Sequence, residues 1–371
     1  MRIVGFRASS SGIATYTAEL AKALARVDRV VLVAFGIDRS LKSELVSKGV
    51  SVLDLGPDPG WRFDVGGPFL AYGLLRRRVR RALGEGGYAV YTIPGFALGE
   101  RRPGIVVAWG HLGFWQLLGV GAKWLPHLFK FVGVPNTSAY WLLDNWVFRR
   151  AETIVALTSW SFRHYSRRYG DRVVWIPPPV EPAPCSSPGD RLRLVFVSRD
   201  LGLPRKNLAL VVRALSGLGP YLKKMSLTLV GEGGGRLADL VSRLRGRGLE
   251  VRLTGRLSRS ETRRVLCSSD VLLYPSFYEE LGYAVLEAMA AGLAVVASNV
   301  PPFDDFVAEG INGFLVDPVD PKPLSRVLAE LVEHSDLLIK LKANSLSIVK
   351  NRFNPLAVAR QFQKIILGKG R

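Results

Sequence analysis

Between Tyr278 and Ser298 the chain reads "YEELGYAVLEAMAAGLAVVAS", with Gly282 opening an apolar run and Glu279, Glu280 and Glu287 around it. A helix N-terminus presents backbone amides without intrahelical partners and a partial positive charge, and glycine lets an anion come close to them. The amides near Gly282, Tyr283 and Ala284 therefore suit a diphosphate. Glu287, one turn further in, can accept hydrogen bonds from vicinal hydroxyls such as those of a ribose. The same residues also fit a plain strand–turn–helix with surface acids.

A strand must deliver the chain to such a turn. "VLLYPS" (Val271–Ser276) reads as a buried strand and Ala284–Ala291 as the helix that follows. The alternation runs through the whole chain. In the first half "RIVGF", "VVLVAF", "SVLDL", "AVYTI", "IVVAW", "TIVAL" and "VVWIP" read as buried strands, with helical spacing over Ala14–Arg26. In the second half "LRLVFVS", "LTLVGE", "VRLTG", "VLLYPS", "AVVAS" and "GFLV" repeat the pattern. Alternating β and α units imply α/β architecture: doubly wound parallel sheets that bind ligands beyond the carboxyl ends of their strands.

The stretch "PPPVEPAPCSSPGD" (177–190) continues neither a helix nor a central strand, because proline lacks the backbone donor. It divides the chain into a domain over 1–176, a proline-rich linker over 177–190 and a domain over 191–345. The last segment, 346–371, carries the helix "LAVARQFQKIIL" and is expected to pack back on the N-terminal domain. Two such domains facing each other make a cleft suited to two substrates.

Composition narrows the partners. A length of 371 residues fits two domains of ordinary size. The 51 basic and 31 acidic residues leave a net charge of +20, which favours anionic partners without choosing among nucleic acid, acidic lipid and phosphorylated substrates. Two cysteines, Cys185 and Cys267, supply neither a disulfide framework nor a metal cluster, as in a reducing compartment. "MRIVGFRASSSG" lacks the apolar core of a signal peptide, so a cytoplasmic protein is expected. Pro103–Ala122 bears no formal charge and is long enough to span a bilayer, but its five glycines, His111 and Gln116 favour strand, loop and short helix.

The ordered set of motifs resembles glycosyltransferase family 4, whose members are retaining enzymes of the GT-B fold. Glu279 and Glu287 with seven residues between them, followed by "LEAMAAGLAVVAS", resemble its signature. "SSSGIATYTAELAKALAR" resembles its glycine loop and first helix, and "VFVSRDLGLPRKNLALVVRAL" its phosphate-binding basic segment. "AETIVALTSWSFRHY", "VVWIPPPVE", "LTLVGEGGG", "VRLTGRLS" and "INGFLVDPVD" continue the likeness in order. The chain departs from the pattern at Pro178-Pro179, at Ser11-Gly12 and at Glu280, where the family has an aromatic or small residue.

The resemblance implies two Rossmann-like domains facing across a cleft, the first for the acceptor and the second for the nucleotide sugar. It implies that Arg199 and Lys206 neutralise the donor diphosphate, with Arg205 able to replace Lys206. It places Glu279 against the donor sugar, Glu287 against the ribose, Gly255, Arg256 and Leu257 beside the base, and Gly12 at the phosphates or the acceptor. His111 falls where the family often has an active-site histidine that orients a sugar hydroxyl.

The activity so implied is transfer of a mannose- or glucose-type hexose from a GDP- or UDP-linked donor to a hydroxyl, with retention. The acceptor would be lipid-linked or a growing polysaccharide. No cofactor and no metal is expected, because no acidic pair with metal-ligand spacing accompanies the basic segment. Aromatic residues from Phe114 to Phe148, with Lys123 and Lys130, and the basic run "LLRRRVRRAL" (74–83) suit an anionic membrane face, and equally a domain core with a solvated helix. The competing readings are another GT-B enzyme, such as an epimerase or phosphorylase, and a basic nucleic-acid-binding protein. The dispersal of the basic residues and the lack of a nucleic-acid motif weigh against the last.

Overall fold

The computed structural model describes residues 1–4, 12–56, 78–79, 81–82, 88–97, 100–108, 145–185, 189–233 and 238–368. Among them the chain divides into two compact units, one made of 1–108, 145–179 and 353–368, the other of 180–352.

The first unit holds seven parallel strands: β1 (Arg2–Val4), β2 (Val30–Ala34), β3 (Val50–Asp54), β4 (Ala89–Tyr91), β5 (Ile105–Ala108), β6 (Thr153–Ala156) and β7 (Val173–Trp175). They lie in the order β3-β2-β1-β4-β5-β6-β7, so the direction of winding reverses between β1 and β4. β5 and β6 are buried along their whole length, as continuous apolar runs predict. β3 differs from expectation. It is the edge strand, and only Val50 of its five residues is fully buried. Helix α1 (Gly12–Leu24) follows β1 and buries Tyr16, Leu20 and Leu24, a four-residue spacing that keeps one face inward. Helices α2 (Arg39–Ser47) and α3 (Ser159–Tyr169) follow β2 and β6.

The second unit holds six parallel strands: β8 (Leu192–Asp200), β9 (Met225–Glu232), β10 (Glu250–Leu253), β11 (Val271–Tyr274), β12 (Ala294–Ser298) and β13 (Gly313–Val316). Their order, β10-β9-β8-β11-β12-β13, reverses between β8 and β11. The connecting helices are α4 (Leu208–Ser216), α5 (Ala238–Gly246), α6 (Arg259–Cys267) and α7 (Tyr283–Ala291), and α8 (Pro321–Glu333) and α9 (Ser335–Arg352) follow the last strand. At the amino ends of the strands Asp270 is buried but fully compensated. It accepts from Arg193 Nε at 2.8 Å and from Lys342 Nζ at 2.7 Å, which ties α9 to the sheet.

The structure departs from two expectations. The expected start of a separate C-terminal segment at 346 falls inside α9, which runs on to Arg352 because Leu341, Ser345 and Val349 repeat its buried face. Asn354-Pro355 ends that helix and caps α10 (Pro355–Leu367), which packs on α1 in the first unit. The cysteines are also paired: a disulfide joins Cys185 to Cys267, 82 residues away. A separation of 82 residues does not reveal whether two cysteines meet in the fold, and the small number of cysteines therefore says nothing of the compartment. The cross-link holds the chain ahead of β8 against the end of α6. Ala183 N donates to Ala290 O at 2.9 Å and Cys185 N to Ala291 O at 3.2 Å, so this part of the proline-rich stretch is fastened to the second unit.

Among the described residues no helix is long and apolar enough to cross a membrane. Of the charge-free stretch, residues 105–108 form β5, and 109–122 lie outside the described residues.

Candidate active site

In a doubly wound sheet the loops on either side of the reversal point diverge and leave a crevice at the carboxyl ends of the strands. In the second unit β8 and β11 flank that point, with Leu194 opposite Val271 and Val195 opposite Leu272. The loop after β8 carries Arg205 and Lys206, and the loop after β11 carries Glu279. Those three side chains meet.

Arg205 Nη1 donates to Glu279 Oε1 at 2.8 Å, and Lys206 Nζ donates to the same oxygen. Lys206 Nζ also donates to the Tyr274 hydroxyl at 2.5 Å and lies 4.6 Å from the centre of that ring. The Arg205 guanidinium stands 5.6 Å over Tyr278. Lys206 and Glu279 are both buried, at 8 % exposure each. Burial pushes the Glu279 carboxyl up, but Lys206 and Arg205 outweigh it and hold the acid below the usual carboxylate range. Burial lowers the Lys206 ammonium, and the pull of Glu279 only partly offsets this because Arg205 repels it.

The loops are fixed by their own backbone. Pro204–Lys206 form a 3₁₀ turn that ends at Asn207, the only non-glycine residue with positive φ (60°) among the described residues. Its Nδ2 donates to Pro275 O at 3.1 Å and Pro318 O at 2.7 Å, joining the loops after β8, β11 and β13. Phe277 N donates to Arg205 O at 2.9 Å.

Gly282 precedes α7 as its N-cap with φ 65°. A Cβ there would lie 2.8 Å from Cε1 of Phe303, whose ring packs edge-on against Tyr274. Glycine is thus demanded by the turn and by Phe303, apart from any ligand. No side chain caps the first turn of α7. Tyr283 is buried at its first position, and Ala284 is half-buried.

The remaining expected residues are placed as follows. Arg199 is exposed at the end of β8, and its side chain has no partner among the described residues. Glu287 is half-buried on α7, with Arg259 Nε 3.9 Å away. Arg256 is exposed and lies 3.6 Å from Glu232, and Leu257 beside it is half-buried. These two stand at the β9–β10 side of the sheet, where Gly231 bridges to Gly255. Gly12 is exposed at the start of α1 in the first unit. His111 lies outside the described residues, as do the aromatic residues from Phe114 to Trp141.

Sequence reasoning missed three residues. Asn207 stood directly before an apolar helix, a position that signals a turn. Tyr274 was read only as part of a buried strand. Glu280 was noted as a departure, yet it is half-buried beside Glu279, where burial first and then the Glu279 charge push it up to about 7 against the pull of Arg205.

The chain has the GT-B fold, as the comparison with solved structures shows: Anabaena HepE in complex with UDP-glucose superposes with a TM-score of 0.73 over 99 % of this chain and 100 % of that one, at 18 % identity. The family model "Glycosyltransferase Family 4" matches residues 10–183 and "Glycosyl transferases group 1" matches 182–347. Together the two models place residues 10–347 of this chain in glycosyltransferase family 4 and group 1. An uncharacterized glycosyltransferase of Methanocaldococcus jannaschii, MJ1069, is 26 % identical over 180 residues, 47 % of this chain and 45 % of that protein. A 2-deoxystreptamine glucosyltransferase of Streptomyces kanamyceticus is 28 % identical over 223 residues, 54 % of this chain and 57 % of that one. The chain thus spans about half the length of the curated relatives it matches.

Proposed function

We propose that this protein transfers a glycosyl group from a nucleoside-diphosphate sugar to a hydroxyl acceptor, with retention at the anomeric carbon. The observation that carries the reading is the meeting of Lys206, Arg205 and Glu279 at the reversal point of the second sheet, in the loops that lead into α4 and α7. As the bond from the anomeric carbon to the phosphate oxygen breaks, negative charge grows on the diphosphate and positive charge on the sugar ring. Lys206, Arg205 and the first amides of α7 answer the first charge, and Glu279 the second. Arg199, exposed at the strand end with no side-chain partner among the described residues, adds a further cation for the phosphates. Glu287 takes the ribose, and Arg256 and Leu257 border the base.

The UDP-glucose named with HepE and the glucosyl transfer named for the Streptomyces relative support a UDP-linked hexose. GDP-mannose is the alternative donor. A thermal-shift panel tests both, because ligand at about 100 times its Kd adds about 2.7 kcal/mol to the native state. The expected result is a clear rise in Tm with one of them and with no other class of nucleotide. Turnover in excess chelator is expected to remain, since the diphosphate is answered by fixed cations; loss that magnesium restores would refute this.

An acceptor anchored in an anionic membrane is supported by Trp146, which is 53 % exposed with the Arg150 guanidinium 3.7 Å from its ring. Such a pair suits an acidic headgroup layer. The protein should then co-sediment with acidic but not neutral vesicles; equal behaviour with both would sink the membrane reading.

A further inference from the structure

The charges at the reversal point do not balance once a donor arrives. Lys206 and Arg205 both end on Oε1 of Glu279, so that one carboxylate engages both cations. Glu280 follows on the same turn, half-buried, and receives no hydrogen bond or ion pair among the described residues. The charged and titratable groups that act on it are Glu279 and Arg205, and it in turn raises the Tyr278 phenol. With Glu280 ionised, these loops carry two cations and two carboxylates, and their formal charges cancel. A diphosphate brings two further negative charges into this partly desolvated place, where repulsion is felt strongly.

We propose that Glu280 is the proton acceptor of the donor seat, and that a nucleoside-diphosphate sugar binds to the form in which Glu280 is protonated. The inference rests on the donor reading above and adds to it: binding draws one proton from solvent, and the neutral acid is left with an O–H to donate to a phosphate or sugar oxygen. Burial and Glu279 already hold the Glu280 proton to about 7, so the linkage falls near neutrality. The sign follows. Below neutrality the proton is in place and binding is tight; above it the ligand must recruit the proton, and binding weakens. The same proton supports the folded state at low pH, and that support fades as pH rises from the ordinary glutamate value through about 7.

The test uses UDP-glucose and GDP-mannose as probes, whose diphosphate diesters do not titrate in this range. Calorimetry on the wild-type protein and on Glu280→Gln, at about pH 6 and about pH 8.5, should show the wild-type affinity falling about tenfold and the variant's by less than about threefold. The variant should bind the more tightly of the two at the higher pH. Without ligand, Glu280→Gln should raise Tm more at the higher pH than at the lower. Equal pH slopes in the two proteins overturn the inference and leave the donor site standing. No binding of either probe at the lower pH, with both proteins folded, overturns the donor reading and this inference with it.

Discussion

Replacing Lys206 with methionine is expected to lower kcat with the donor sugar by about 10²–10³-fold while KM changes by less than about tenfold. The lysine is held by Glu279 and Tyr274 in the free protein, so its full charge becomes available to the diphosphate only as negative charge develops there. An interaction that strengthens in the transition state appears in kcat rather than in KM. The fold should survive. Methionine keeps most of the volume, and Glu279 retains the Arg205 hydrogen bond at 2.8 Å. Losing one partner of a buried pair that keeps the other should cost about 1–3 kcal/mol, visible as a lower Tm. Steady-state kinetics beside a thermal melt checks both. A folded variant with turnover within about threefold of wild type would remove Lys206 from the chemistry and make it a structural cation.

A large loss of stability should come from Gly231→Ala. Gly231 lies near the end of β9 with φ 144°, and a Cβ there would sit 1.9 Å from the backbone oxygen of Ser198. That oxygen belongs to β8 and cannot move aside as a side chain does. The β8–β9 register already shifts between Val197 and Asp200, and Leu201 N donates to Glu232 O at 2.8 Å just beyond. Relief of the clash would have to open this junction, which also launches the loop of Arg205 and Lys206. Backbone strain and a main-chain overlap together put the expected loss above about 4 kcal/mol. Gly255→Ala is the matched control. Gly255 has φ 70°, yet nothing lies within 4 Å of its Cβ position, so only the left-handed penalty of about 1–2 kcal/mol applies. Urea unfolding of the two variants should separate them clearly. Similar midpoints would show that the Ser198 contact relaxes at little cost.

Much of this architecture was legible in the residues. All thirteen runs became strands; β5, β6, β11 and β12 are the plainest, because a strand buried on both faces needs an unbroken apolar stretch, and such a stretch is visible without its neighbours. Helix α7 was equally plain, and the motif around it pointed to the loop where Glu279 sits. The cations of the basic segment were found too, but as ligands for a diphosphate, each assigned separately from Glu279. That Lys206 and Arg205 share one oxygen of Glu279 depends on β8 and β11 lying side by side, more than 70 residues apart in sequence.

The amino-acid order by itself determined the alternation of strands and helices, their extents to within a few residues, and the chemical types gathered in the loops. These follow from hydrogen bonding and side-chain periodicity, which act over a few neighbours along the chain. Strand order, the edge position of β3, the Cys185–Cys267 bond, the seating of α10 on α1, and the need for glycine beside Phe303 were decided only in three dimensions. Each is a contact between residues distant in sequence, and its energy exists only once the intervening chain has packed.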